Sequence, residues 1–246
     1  MSKRYGRVIW WIKRDIRLRD NEALLWAIEH SADVLPLYVI EPAVVQHTDW
    51  SGLHAQAVAQ AIAALQDGLA ESGARLAVAR GDILTALDQL RRSPGFDAMV
   101  AHEETGPLHT YRRDNAVRRW CKDLGLAFHE VPRNGVIRAL TTREDRMKIW
   151  RARMEAPVVP APSSVPQSEE TRVVCEQHEE GHALSADAGG CTGVLEQPVG
   201  EADGQTLLHS FLTERARNYK KNISAVEQAA ESCSRLSIHL AWGTLS

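Results

Sequence analysis

The string with the sharpest ligand spacing is His178-Glu179-Glu180-Gly181-His182, with Cys175 and Cys191 close by. Two histidines four residues apart can share one helix face, where both would reach Zn²⁺ while the glutamate between them activates a water. The surroundings argue against that chemistry. Gly181 interrupts the helix, no apolar stripe seats it, and the acidic, glycine-rich flanks offer nothing to orient the ligands. These residues read as a solvated connector. Whether Cys175, His178, His182 and Cys191 hold an adventitious or structural metal stays open, and no metal site is assigned.

A second candidate lies near the carboxy terminus, where Tyr219 precedes Ser232-Cys233-Ser234-Arg235-Leu236-Ser237 and then Ile238-His239-Leu240-Ala241-Trp242-Gly243. Small hydroxyl residues before an apolar helix offer free amide N–H groups and hydroxyls to an anion such as a nucleotide phosphate, although serines there also serve simply as N-caps. Glu103 and Glu104 could accept from the amino groups of a heterocycle or cap the helix that follows. The first strand-to-helix turn, Lys13 to Asn21, contains no glycine, which argues against an ordinary dinucleotide pyrophosphate site. A Walker A sequence is absent as well.

The elements that must position these residues alternate. Arg7–Ile12, Val34–Ile40, Arg75–Ala79, Asp97–Ala101 and Leu126–Val131 read as short buried strands. Helical patterns separate them, beginning at Leu24, over Ser51–Gly73, over Asp82–Arg92, and from Pro107 to Gly125. Pro107 suits a first helical position and Gly125 a left-handed stop, with Val117, Trp120, Cys121 and Leu124 as the buried stripe. The fold class is therefore α/β, a Rossmann-like five-stranded parallel sheet with helices on both faces. Ligands on such sheets sit beyond the carboxyl ends of the strands, which here means Glu41–Trp50 and His102–Gly106.

The texture changes after Met154. Four prolines lie between 157 and 166, and residues 160–205 carry one basic and nine acidic side chains, a net of −8 that leaves +5 on the rest of the chain. Residues 1–154 thus form the α/β domain, 155–205 an acidic Pro/Gly-rich interdomain linker, and 206–246 a short helical segment that begins a second, all-α domain. Leu207, Leu208, Phe211, Leu212 and Arg215 suit one amphipathic helix there, and Leu236, Leu240 and Trp242 a second.

The 246 residues are 44% hydrophobic and 25% charged with a net charge of −3, values of a globular chain without a whole-molecule grip on polyanions. Four widely spaced cysteines suit a reducing compartment, so the cytoplasm is expected. No apolar run approaches the roughly 20 residues a membrane span needs.

Trp11-Ile12-Lys13-Arg14-Asp15-Ile16-Arg17-Leu18-Arg19-Asp20-Asn21-Glu22-Ala23-Leu24 closely resembles the amino-terminal signature of the photolyase/cryptochrome family. His102-Glu103-Glu104-Thr105-Gly106, Tyr111-Arg112-Arg113-Asp114, Trp120-Cys121 and Asn134-Gly135-Val136-Ile137-Arg138 look like later landmarks of its antenna domain, in the right order. Ser234-Arg235-Leu236-Ser237 and Leu240-Ala241-Trp242-Gly243 resemble the opening of its FAD-binding helical domain. The resemblance covers residues 7 to about 154 and again 206 to 246.

It implies a light-driven flavoprotein whose α/β domain holds an antenna chromophore of unknown identity, followed by a domain that binds FAD beside a DNA groove. In a photolyase the excited flavin repairs pyrimidine dimers in damaged DNA; in a cryptochrome the photochemistry signals. Carried over by the resemblance, Tyr219, Cys233, Ser234, Arg235, Leu236 and Ser237 would contact FAD, with Cys233 where the family commonly has threonine. No catalytic residue is assigned, because most of the helical domain is expected to follow Ser246. The chain is expected to be a monomer, away from membranes, with a partial FAD site and no activity alone. The alternatives to the photolyase reading are a blue-light photoreceptor of cryptochrome type and a non-catalytic antenna- or nucleotide-binding module.

Overall fold

Strand β1 (Tyr5–Ile12) alternates as a strand covered on both faces must: Val8, Trp10 and Ile12 enter one apolar cluster, and Ile9 and Trp11 enter the other. The coordinates are a computed structural model that describes residues 3–138, 140, 142–178 and 193–246. Glu179, Glu180, Gly181, His182 and Cys191 lie outside the described residues.

Helix α1 (Glu22–His30) follows β1 and leads into β2 (Ser31–Ile40); a short turn of helix, α2 (Pro42–Val45), then precedes α3 (Gly52–Glu71). The pattern continues through β3 (Ala77–Arg80), α4 (Ile83–Arg92), β4 (Ala98–His102), α5 (Leu108–Asp123) and β5 (Ala127–Val131). All strand pairs are parallel, in the order β3-β2-β1-β4-β5. Helices α1 and α3 bury Leu24, Val58, Ile62, Leu65 and Leu69 against one face; α4 and α5 bury Ile83, Leu87, Leu90, Val117 and Cys121 against the other. The expected three-layer α/β architecture is the one observed.

Local chemistry explains the boundaries. The Asn21 side chain accepts from the Leu24 N–H and caps α1, and Asp82 caps α4 through the Thr85 N–H. Pro107 stands one position earlier than expected, as the cap of α5 with extended ψ, and Gly125 takes φ +68° in the turn before β5. Trp120 is half-buried beside Phe96, but Leu124 at the helix end is 45% exposed and leaves the expected stripe.

The stretch after α6 (Asp145–Met154) corrects the expectation of a solvated connector. Residues 159–177 lie along the domain: Val159 and Asp20 exchange backbone and side-chain hydrogen bonds, and the Val34 N–H donates to the Pro166 carbonyl. Helix α7 (Glu169–Gln177) is seated by buried Thr171, Val174 and Cys175. Arg7, on β1, ties its start to the sheet, donating to Asp33 at 2.8 Å, to Thr171 at 2.7 Å and to Glu170 at 2.7 Å. Helix α8 (Glu201–Thr213) begins five residues before Thr206, after Gly200. A 3-10 turn (Arg215–Asn218) and the short helices α9 (Tyr219–Asn222), α10 (Val226–Ser232) and α11 (Ser237–Trp242) complete the element order. Among the described residues no helix is long and apolar enough to cross a membrane.

Candidate functional site

Two of the segments that carried the resemblance, residues 13–21 and 240–243, meet in space. The Ile16 N–H donates to the Trp242 carbonyl at 3.2 Å, and Arg17 donates through Nη1 to the Gly243 carbonyl at 2.9 Å. Gly243 adopts φ +69°, and a Cβ there would lie 1.9 Å from the Arg14 carbonyl oxygen, so only glycine permits the approach. Beneath this contact Asp15 is fully buried. It accepts from the Lys13 N–H at 2.8 Å and pairs with His102 Nδ1 at 2.7 Å. Burial opposes its charge, but His102, the Lys13 amide and Arg17 outweigh burial and hold the carboxyl well below the usual range. Asn21, besides capping α1, donates to the Arg17 carbonyl at 2.9 Å.

This junction walls a crevice at the carboxyl ends of β1, β2 and β4, where the strand order reverses. Its enclosed cavity volume is about 40 Å³, and it is lined by Trp11, Lys13, Arg14, Tyr38, Glu41, Trp50, Glu104, Arg113 and Trp242 among others. Arg113, on α5, is the centre of its charge. Its guanidinium donates to Glu41 at 2.8 Å, to Glu104 at 3.1 Å and to buried Asp114 at 2.9 Å, and lies 4.9 Å from the Trp11 ring centre. Three carboxylates more than offset burial and raise its pKa further above the ordinary range. Asp114 also pairs with Lys13, whose ammonium donates to the His102 carbonyl at 2.7 Å. Burial pushes the Tyr38 phenol up and keeps it neutral. Glu41 is pushed up as well, burial outweighing Arg113.

What remains unpaired defines what the crevice can hold. Arg14 lies 5.5 Å over the Trp242 ring and has no carboxylate partner among the described residues. Trp50 and Trp242 meet edge to face at 5.3 Å, and their buried indole N–H groups have no hydrogen-bond acceptor. Aromatic walls, two idle donors and a spare cation suit a flat heteroaromatic molecule that carries acceptor atoms and an anionic group. Glu104 is part of this crevice, whereas Glu103 pairs with Arg138 at 3.3 Å outside it. Arg14, Trp50, Arg113 and Trp242 stood in the landmark strings or in the Glu41–Trp50 strand-end segment, but nothing in the sequence assigned any of them a role in lining the crevice.

The residues expected at the FAD phosphates are gathered elsewhere. Arg215 donates to the carbonyls of Cys233, Ser234 and Leu207, and Asn222 Nδ2 donates to Ser232 Oγ at 2.8 Å, which brings α8, α9 and the 232–237 segment together. Tyr219 opens α9 and packs edge to face on Phe211. Cys233 and Ser234 are half-buried, Leu236 is buried, and Ser237 is the exposed first residue of α11. Arg235, at φ +58°, faces an open hollow together with Arg215, Asn218, Asn222 and Ser232. Cys175 is buried in the core with Gln167 Nε2 at 3.6 Å, and His178 Nδ1 bonds the Val174 carbonyl at 2.8 Å. Neither belongs to the crevice.

A doubly wound parallel sheet with a crevice at its switch point defines an α/β domain of Rossmann-like class. The DNA photolyase family model matches residues 8–152, and the chain belongs to that family. A deoxyribodipyrimidine photo-lyase of Agrobacterium fabrum is 33% identical over 126 residues, 51% of this chain and 26% of that protein. A cryptochrome DASH of Natronomonas pharaonis is 27% identical over 255 residues, 96% of this chain and 53% of the relative. In fold, a bacterial class III photolyase from Agrobacterium tumefaciens superposes with a TM-score of 0.74 at 24% identity, over 100% of this chain and 52% of its own. The chain thus spans between a quarter and about half of the length of these proteins.

Proposed function

We propose that this chain is the pigment-holding α/β half, with the opening of the FAD-binding half, of a light-driven flavoprotein that repairs pyrimidine dimers in damaged DNA. The observation that carries the reading is the switch-point crevice with Arg14 unpaired and the Trp50 and Trp242 N–H groups idle. Its aromatic walls would orient an antenna chromophore, Arg14 would receive the chromophore's anionic group, and the α11 contact would exclude water from one side. FAD, when bound, supplies the light-driven electron chemistry. Tyr219, Cys233, Ser234, Arg235, Leu236 and Ser237 are proposed to hold its phosphate end, and the exposed Arg235 and nearby Asn218 suit that role. The protein is read as a cytoplasmic monomer; burial pushes the Cys121 thiol up to about 12, which leaves it unreactive.

A cryptochrome-type photosensor is the second reading, supported by the presence of a cryptochrome DASH beside photolyases among the relatives. The antenna reading is tested by titrating the chain with a pterin, a deazaflavin and flavin mononucleotide. A saturable fluorescence change is expected with one of them, weakened about tenfold by Arg14→Ala, roughly 1.4 kcal/mol. Saturation with none of the three overturns it. Blue-light loss of dimers from irradiated DNA by the whole protein separates repair from sensing.

A further inference from the structure

At the rim of the crevice, outside the residues that line it, His47, Asp49 and His109 bring one ligand atom each within 4.8 Å of one another. His47 and Asp49 belong to the loop between α2 and α3, and His109 to the first turn of α5. Here the loop meets the helix through the two imidazoles. His47 Nδ1 lies 2.6 Å from Asp49 Oδ1, and the two imidazoles stack with centres 3.9 Å apart and planes 20° from parallel. His47 and Asp49 are exposed and His109 is half-buried, so the cluster is open to ions from solvent.

We infer that His47, Asp49 and His109 form a binding site for a borderline divalent transition metal ion such as Zn²⁺, which clips the 46–50 loop to α5 at the crevice rim. Two imidazoles and one carboxylate suit Zn²⁺, Ni²⁺ or Cu²⁺; Mg²⁺ and Ca²⁺ prefer oxygen donors throughout. Zinc bonds of about 2.0–2.2 Å separate neighbouring ligand atoms by roughly 3–3.5 Å, which small rotations of the exposed His47 and Asp49 side chains provide. Water fills the remaining position. The nearest cations, Arg14 and Arg113, are stacked on Trp242 and paired with three carboxylates respectively. The site stands on its own geometry and does not depend on what the crevice holds.

The test is equilibrium dialysis of the metal-stripped chain against Zn²⁺. One equivalent is expected to bind with a micromolar Kd, to persist in 10 mM Mg²⁺, and to raise the Tm. His47→Ala and His109→Ala should each weaken it at least tenfold, with an unchanged circular dichroism spectrum. His178→Ala/His182→Ala, which removes the other histidine pair, should leave that equivalent in place. Electron paramagnetic resonance of the Cu²⁺ form should show two nitrogen ligands, lost in the His47→Ala/His109→Ala double variant. Undiminished binding in that double variant, loss of the equivalent in the 178/182 variant, or no saturation below 100 µM Zn²⁺ overturns the site.

Discussion

Asp15 shows how one residue can serve both the sheet and the carboxy-terminal segment. Its carboxylate is fully buried, pairs with His102, and orders the turn that receives Gly243. Because its folded pKa lies below the unfolded value of 3.8, its stabilisation is complete above that value and lost as pH falls through the folded one. Asp15→Asn should cost about 3–5 kcal/mol at pH 7, since it leaves His102 and the turn without their buried anion. The variant's stability should also fall less steeply than the parent's below pH 4. Urea unfolding at pH 7 and pH 3 measures both, and parallel pH curves would contradict the assignment. The aspartate in the Arg-Asp-Ile-Arg string was legible as a landmark. Its burial against His102, 87 residues away, was not, because a charged residue in a loop gives no periodic signal.

At the scale of elements, periodicity made the layers readable, and the structure supplied the caps. Asn21 and Asp82 sit at helix starts as their types demand, and β1 alternates between the two clusters. Residues 159–177, expected to be solvated, pack on the domain instead, for a physical reason. Ser168, Glu169 and Glu170 are adequate helix-start signals, but proline and acid around them outweighed these, and the anchoring Arg7 stands 164 residues before Thr171. Helix α11, only six residues long, is held by its docking rather than by its own propensity. Gly243→Ala should therefore detach it. Hydrogen exchange at the Ile16 amide, which donates to the Trp242 carbonyl, should accelerate at least tenfold while the amides of β1 paired with β2 stay protected. An unchanged Ile16 rate would show that the contact is not what seats α11.

The whole molecule has two concave regions of different completeness. The crevice is closed by the sheet, α5, the 41–50 segment and Trp242, whereas the hollow beside Arg235 is wide and open. A cofactor's affinity depends on burial from several sides. FAD added to this chain should consequently separate on desalting without stoichiometric flavin absorbance, while an antenna pigment in the crevice stays bound. A fully yellow chain after desalting would contradict this difference.

Taken alone, the sequence determined the alternation of strands and helices and the landmark strings that mark the family. Those features are local: period, cap and turn chemistry act within a few residues. Tertiary structure decided the walls of the crevice and its rim. The sequence placed a crevice beyond the strand ends near Glu41–Trp50 and His102–Gly106, but that Arg113 and Trp242 wall it beside Trp11 and Trp50, and that His47 meets His109, follows only once the parallel sheet closes. Side-chain packing over such separations leaves no spacing to read, because the register that joins them is set by the sheet and not by the intervening chain.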